Sequence, residues 1–415
     1  MALLGFCFIK AYKNYSSGNV SSNTANKNTT NIVKGGNYEI NGKSETITID
    51  TNDEVIITLN NATINSKNGP AINIIESKKV SIILVGENTI TSNVTEELDG
   101  AIYSKADLEF SGDGSLKINS NIDGIVSKDT LVIKSGTYTI VADDDGIRGK
   151  DSVEIIDGIF NIDVKGDAIK STNDEDEEKG YIVIDDGTFN LNSQLDGIQA
   201  ETKLTINNGT FNIKTTSDDD NESRKGLKAN TLITIKNGTF DINTIDDAIH
   251  SNGNVNIDDG EFIITSSDDG IHADALIEIN DGTFTINAHE GLEGTYIKIN
   301  NGTINITASD DGINATTKSS DYSTTIEING GNITIDMGQG DTDAMDSNGD
   351  LIINGGTLNI TAQSPFDYDN KGEYNGGTII VNGTKTTELS NQMMGGGEMP
   401  GGPNGNRPDQ NNRMR

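Results

Sequence analysis

Tryptophan is absent from the chain, cysteine occurs once, histidine three times and proline five times. The lone Cys7 excludes an intramolecular disulfide framework and a cysteine-based zinc site. Aromatic residues make up 5% and hydrophobic residues 33% of the 415 positions, which argues against a thick two-layer core. Basic residues are scarce: 30 Lys and Arg face 64 Asp and Glu, a formal charge of −34. That sign repels a phosphate backbone and excludes ordinary nucleic-acid binding. The N-terminal apolar run, Ala2 to Ile9, is far short of the roughly 20 residues that span a bilayer. Low apolar content with high charge is also a signature of disorder, which a regular repeat opposes.

Residues 1–35 read as a leader and linker, either the remnant of a secretory leader or an unremarkable end. The stretch Leu4-Gly5-Phe6-Cys7 is a poor lipoprotein box, because Phe6 stands where a small residue is expected. Residues 391–415 are rich in Gly, Met and Asn and are expected to be a disordered tail. The span 36–390 carries the repeat.

A tripeptide recurs through that span: Asp or Glu, then Gly or Ala, then Ile, Leu or Met. It begins at Asp99 (shifted by one place), Asp123, Asp145, Asp167, Asp196, Lys225 (acid lost), Asp247, Asp269, Glu290, Asp311 and Asp343. The steps cluster at 21 to 24 residues, and the longer ones carry polar insertions such as 171–179, 217–224 and 318–322. Insertions at corresponding points of a repeat mark loops of a solenoid. Between tripeptides lie two further segments, as in Leu204-Thr205-Ile206 and Thr210-Phe211-Asn212-Ile213, separated by Asn208-Gly209. Period-2 alternation with β-branched and aromatic residues indicates strands. Asn-Gly ordinarily suggests a hairpin, but three short strands per 22-residue cycle fit a coil better. The predicted fold is all-β: a right-handed parallel β-helix of about twelve rungs. Its few inward side chains per rung account for the low apolar fraction.

The runs Asp123-Gly124-Ile125-Val126-Ser127-Lys128-Asp129 and Ala142-Asp143-Asp144-Asp145-Gly146-Ile147-Arg148-Gly149-Lys150-Asp151, with Gly69-Pro70-Ala71-Ile72 upstream and the Gly/Met-rich tail, resemble the clostridial carbohydrate-binding-domain proteins. The resemblance covers roughly residues 36–390 and is strongest over 99–151. It implies an extracellular, pectate-lyase-like right-handed β-helix that binds Ca²⁺ and acidic or cellulose-like polysaccharide. It does not imply lyase activity.

Stacking the rungs aligns the tripeptides. If the segment is a strand, Ile points inward, while the residue before Asp, the Gly, and the residue after Ile point outward. The Gly would then form a bare floor between polar groups, suited to a glycan along the axis. Arg148, Lys170, Lys228, His250 and His272 occupy the position after Ile and are the candidate glycan-binding residues. Carboxylates about 4.8 Å apart repel by roughly 1 kcal/mol in water and up to about 3.5 kcal/mol at an effective dielectric of 20. Such a column favours hard cations, and Ca²⁺ above all. The candidate ligands are Asp123, Asp144, Asp145, Asp167, Asp246, Asp247, Asp268, Asp269, Asp310 and Asp311. A single Asp before Gly is also a common turn former, and the doubled acids are what favours metal. His250 and His272 lie 22 apart, a spacing open to a metal pair or to sugar hydrogen bonds. Scattered tyrosines and missing Trp speak against flat stacking on crystalline cellulose. The leading expectation is Ca²⁺-dependent, non-catalytic binding of a pectin-like polysaccharide outside the cell or at its surface. The alternatives are a Ca²⁺-dependent polysaccharide lyase and a structural or adhesive surface protein.

Overall fold

The computed structural model describes residues 29–217, 222–338 and 342–391. Cys7, most of the leader, Asp218 to Asp220 and the tail from 392 lie outside the described residues. The 42 elements are all β-strands. No described helix is long and apolar enough to cross a membrane.

Each strand pairs with its copy one coil later. Ile125 lies beside Ile147, and the line continues through Ile169, Ile198, Leu227, Ile249, Ile271, Leu292, Ile313 and Met345. Among the named strands every pairing is parallel except the last, where Thr384–Thr386 folds back on Thr378–Val381. The chain is a parallel β-helix. Asn208-Gly209 does not close a hairpin: Lys203–Ile206 pairs with Leu232–Ile235, and Thr210–Thr215 with Thr239–Thr244. Gly209 has φ +137°, and a Cβ there would meet the Phe211 ring at 2.9 Å. Glycine at this position lets the chain pass between sheets instead of turning back on itself.

The eleven tripeptides mark only the middle of their sheet. Thr29–Ile32, Thr46–Asp50 and Ile72–Glu76 precede them, and Asp367–Tyr368 follows, so this sheet has fifteen strands. The expected twelve rungs undercounted because the end coils lack the motif. The first strand also begins inside the expected linker: Thr29–Ile32 pairs with Thr46–Asp50, and Ile32 is buried.

The interior follows from the alternation. Strands such as Thr239–Thr244 bury every second residue, placing Phe240 and Ile242 inside. Parallel register then stacks like on like. Tyr138, Phe160, Phe189, Phe211, Phe240, Phe262 and Phe284 form one column of stacked, nearly parallel rings with centroids 4.5–5.1 Å apart. Each buried ring contributes roughly 1.5–3 kcal/mol of transfer free energy. The insertion after Ile169–Ser171 loops out without disturbing this column, since Phe160 still pairs with Phe189.

Candidate functional site

The tripeptide acids enter the helix at a corner just before the strand. Asp123, Asp145, Asp167, Asp196, Asp247 and Asp269 are at most 5% exposed. One oxygen of each of the first five caps the next rung. Asp145 N–H donates to Asp123 Oδ1 at 3.0 Å, Asp167 N–H to Asp145 Oδ1 at 2.9 Å, and Asp196 N–H to Asp167 Oδ1 at 2.8 Å. Lys225 N–H donates to Asp196 Oδ1 at 2.7 Å and Asp269 N–H to Asp247 Oδ1 at 3.1 Å. The acids are turn formers that act between coils, satisfying corner N–H groups that would otherwise be buried without partners.

The Gly of the tripeptide is not an outward floor. A Cβ on Gly124 would lie 2.5 Å from Gly146 O and 2.7 Å from Ile140 Cγ2, and Gly146 repeats the pattern with Ala168 O and Ile162 Cγ2. The position faces the interior. The corner conformation shifts the alternation by one place, so the expected bare strip does not exist. The residue after Ile does face outward from Arg148 on, in register through Lys170, Gln199, Lys228, His250 and His272, although Val126 one coil earlier is buried.

These outward cations meet the second oxygens of the acids. Lys170 Nζ is 2.6 Å from Asp167 Oδ2 and 3.8 Å from Asp145 Oδ2. Lys228 Nζ is 3.3 Å from Asp196 Oδ2. His250 Nδ1 is 2.7 Å from Asp247 Oδ2, and His272 Nδ1 is 2.7 Å from Asp269 Oδ2. Arg148 bridges Asp99 and Asp123. Lys225, standing where the acid was lost, reaches Asp246 Oδ1 at 2.6 Å and Asp247 Oδ2 at 2.9 Å. Sequence reasoning missed this pairing because it set the cations aside for a ligand. The i, i+3 spacing of acid and cation was the available signal.

Two clusters of the expected metal ligands do converge. The oxygens of Asp123, Asp144 and Asp145 lie within 4.8 Å of one another, as do those of Asp246, Asp247 and Asp268. Each cluster already holds a cation of the protein's own: the Lys225 ammonium bridges Asp246 and Asp247, and the Arg148 guanidinium pairs with Asp123 and stands 3.7 Å from Asp145 Oδ2. The first is set apart by the space beside it. A Cβ on Gly166 would lie 2.5 Å from Asp144 Oδ1 and 2.6 Å from Asp145 Oδ1, so glycine keeps that side clear. Asp99 Oδ1 is buried beside the cluster with no hydrogen-bond partner. Burial pushes Asp123 up to about 7, helped by Asp145, Asp144 and Asp99 and opposed by Arg148. Burial and Asp145 also raise Asp144. Asp99, unnoticed because its tripeptide is shifted, adjoins this group through Arg148, which bridges it to Asp123. Asp167 and Asp269 are paired to Lys170 and His272, and Asp310 and Asp311 join no convergent cluster among the described residues. Asp311 Oδ1 instead caps Asp343 N–H at 3.1 Å.

Beyond His272 the outward position changes character, to Glu293, Asn314, Asp346 and Asp367. Burial, with Glu293 and Asp269 adding to it, pushes Glu290 up to about 8. Asp311 rises to about 6, burial being the largest cause. Burial, then Asp311 and Asp367, raises Asp346 to about 7.

The molecule is thus a β-helical solenoid with a cation-lined acidic corner on one sheet. The chain belongs to the family of carbohydrate-binding domain-containing proteins, whose pattern matches residues 26–270 and 268–393. A solved structure described as the polysaccharide lyase-like protein from C. thermocellum, a gadolinium derivative, is similar to it. That structure is 24% identical, with 58% of this chain and 91% of that one covered and a TM-score of 0.45. No curated protein matches the chain.

Proposed function

We propose that the chain is an extracellular, non-catalytic binder of acidic polysaccharide that uses Ca²⁺ held by Asp99, Asp123, Asp144 and Asp145. The observation that carries this reading is the outward line Arg148, Lys170, Gln199, Lys228, His250 and His272, one polar side chain per coil in unbroken register. A linear polysaccharide repeats along its length, and a face with one polar group per rise of about 4.8 Å can meet it repeatedly. Those cations are largely spent on the protein's own acids, and the chain carries −34. A uronate carboxylate therefore needs a bound cation to be attracted. Ca²⁺ takes six to eight oxygen ligands, so the four aspartates leave room in its shell for water and a glycan oxygen.

The lyase alternative requires a neutral Lys or Arg base. Burial would lower Lys170, but Asp167 and Asp145 outweigh it and raise its pKa. Arg148 is raised in the same way by Asp123 and Asp99 against burial. Both stay protonated, which favours binding over turnover. In the structural alternative Ca²⁺ only staples the rungs, so it would stabilise the protein without any glycan binding.

The test is titration of polygalacturonate into the protein with Ca²⁺ and with a chelator, followed in the ultraviolet for unsaturated product. Binding is expected with Ca²⁺ and not with chelator, without product. Equal binding in both removes the Ca²⁺ role, and sustained product formation by repurified protein removes the non-catalytic one.

A further inference from the structure

Outside that cluster, one side chain sits among more carboxylates than it can serve. His272 is 7% exposed, and its Nδ1 faces Asp269 Oδ2 at 2.7 Å and Glu293 Oε2 at 2.9 Å. One ring nitrogen carries at most one proton, so two carboxylate oxygens and a nitrogen converge on a point that calls for a cation. The three ligand atoms lie within 4.8 Å of one another. On the far side of the ring, Nε2 is 3.2 Å from Asp274 Oδ1. A carboxylate on the other nitrogen fixes the tautomer that leaves Nδ1 free to ligate, which is how metal-binding histidines are ordinarily held.

One cation stands at its edge: Lys318 Nζ is 2.8 Å from Glu293 Oε2, on a side chain 29% exposed, and a metal ion would displace it towards water. The His250 ring stacks on His272 with centroids 4.6 Å apart. His250 itself is served one-to-one by Asp247 and by Asn252. Asp247 also carries Lys225, which disfavours the neighbouring set Asp247, His250 and His272 as a metal site.

We infer that Asp269, His272 and Glu293 form a site for one divalent transition-metal ion of the zinc class. The donor set is one imidazole nitrogen and two carboxylate oxygens. Imidazole selects zinc, copper or nickel over calcium, and three protein ligands leave one tetrahedral position open. In such a site ligand atoms stand about 3.4 Å apart, as bond lengths of about 2.0–2.2 Å require. The 2.7 and 2.9 Å that separate His272 Nδ1 from the two oxygens are shorter than this, so the three side chains move apart modestly on binding.

The test is calorimetric titration of ZnCl₂ into tag-free full-length protein in excess Ca²⁺, which keeps the separate aspartate cluster filled. One zinc per chain is expected. His272→Ala abolishes binding, and Asp274→Asn, at a half-exposed residue, weakens it about 10- to 100-fold. His250→Ala retains it, and Co²⁺ bound in place of zinc gives visible bands that His272→Ala loses. Melting curves establish that each variant is folded. The inference is overturned if zinc does not bind, if excess Ca²⁺ displaces it, if folded His272→Ala still binds it, or if His250→Ala loses it.

Discussion

The coils from Asp123 to Asp269 and those from Glu290 to Asp367 share one backbone and one register, yet they treat buried acid in opposite ways. In the first segment the outward cations meet tripeptide acids: Lys170, His250 and His272 that of their own coil, and Arg148 and Lys228 that of the coil before. In the second, the same outward position is Glu293, Asn314, Asp346 or Asp367. The interior changes at the same place. The aromatic column ends at Phe284, which pairs with Ile304, and Ile333 and Leu358 continue it. The core and the corner ladder set the coil, and the outward position is then free to carry either sign. A cation partner lessens the cost of a buried acid without removing it, since Asp123 and Asp167 still rise to about 7; in the second segment Glu290, Asp311 and Asp346 rise with no cation at the outward position.

The largest effect that separates the segments is expected from Arg148→Ala. It leaves Asp99 and Asp123 partly buried without their guanidinium, at a cost on the order of 3 kcal/mol near pH 8. The loss shrinks towards pH 5, where Asp123 takes a proton. Asn314→Ala, at the same position in the second segment, costs about 1 kcal/mol, the worth of its hydrogen bond to Glu290. Urea unfolding of both variants checks the contrast, and equal losses would break it.

Next in size is the pH response. Glu290, Asp311 and Asp346 have folded pKa values of about 8, 6 and 7, above their ordinary values. Their contribution to stability is therefore complete below about pH 4 and is lost as pH rises through 6 to 8. Melting temperature should fall over that interval. Glu290→Gln or Asp346→Asn should flatten the fall and raise stability at pH 8 by about 1.4 kcal/mol for each pKa unit relieved. A flat melting profile in the parent protein would contradict this.

The smallest effect concerns how the second segment coheres without charge. Asn300, Asn329, Asn354 and Asn375 form an amide ladder, with Nδ2 of each donating to the oxygen of the Asn one coil earlier at 2.8–3.0 Å, starting from Asn280. Asn329→Ala should cost about 1 kcal/mol, with no pH dependence. A pH-dependent loss would tie the ladder to the acids.

The coil itself was legible, because a 22-residue period needs only the spacing of Asp-Gly-Ile and Thr-Phe-x-Ile to be read. Outward placement of Arg148, Lys170, Lys228, His250 and His272 was legible for the same reason. The role of Gly124 and Gly146 was not: Asp and Gly form a corner, and alternation holds only within a strand. Nor was the use made of Lys225, since a lost acid reads as a lapse in the repeat until its ammonium is seen between Asp246 and Asp247. The convergence of Asp269 and Glu293 on one nitrogen also escaped, because it joins coils through side-chain conformation that spacing does not specify.

The most direct test of the account sets Asp144→Asn against Asp346→Asn. Both remove an acid from the same sheet, but only Asp144 belongs to a convergent cluster with a glycine-cleared side. Calcium and polygalacturonate titrations should show that Asp144→Asn loses a calcium ion and, with it, glycan binding, while Asp346→Asn keeps both. Unchanged glycan binding in Asp144→Asn, or its loss in folded Asp346→Asn, would contradict the proposed site.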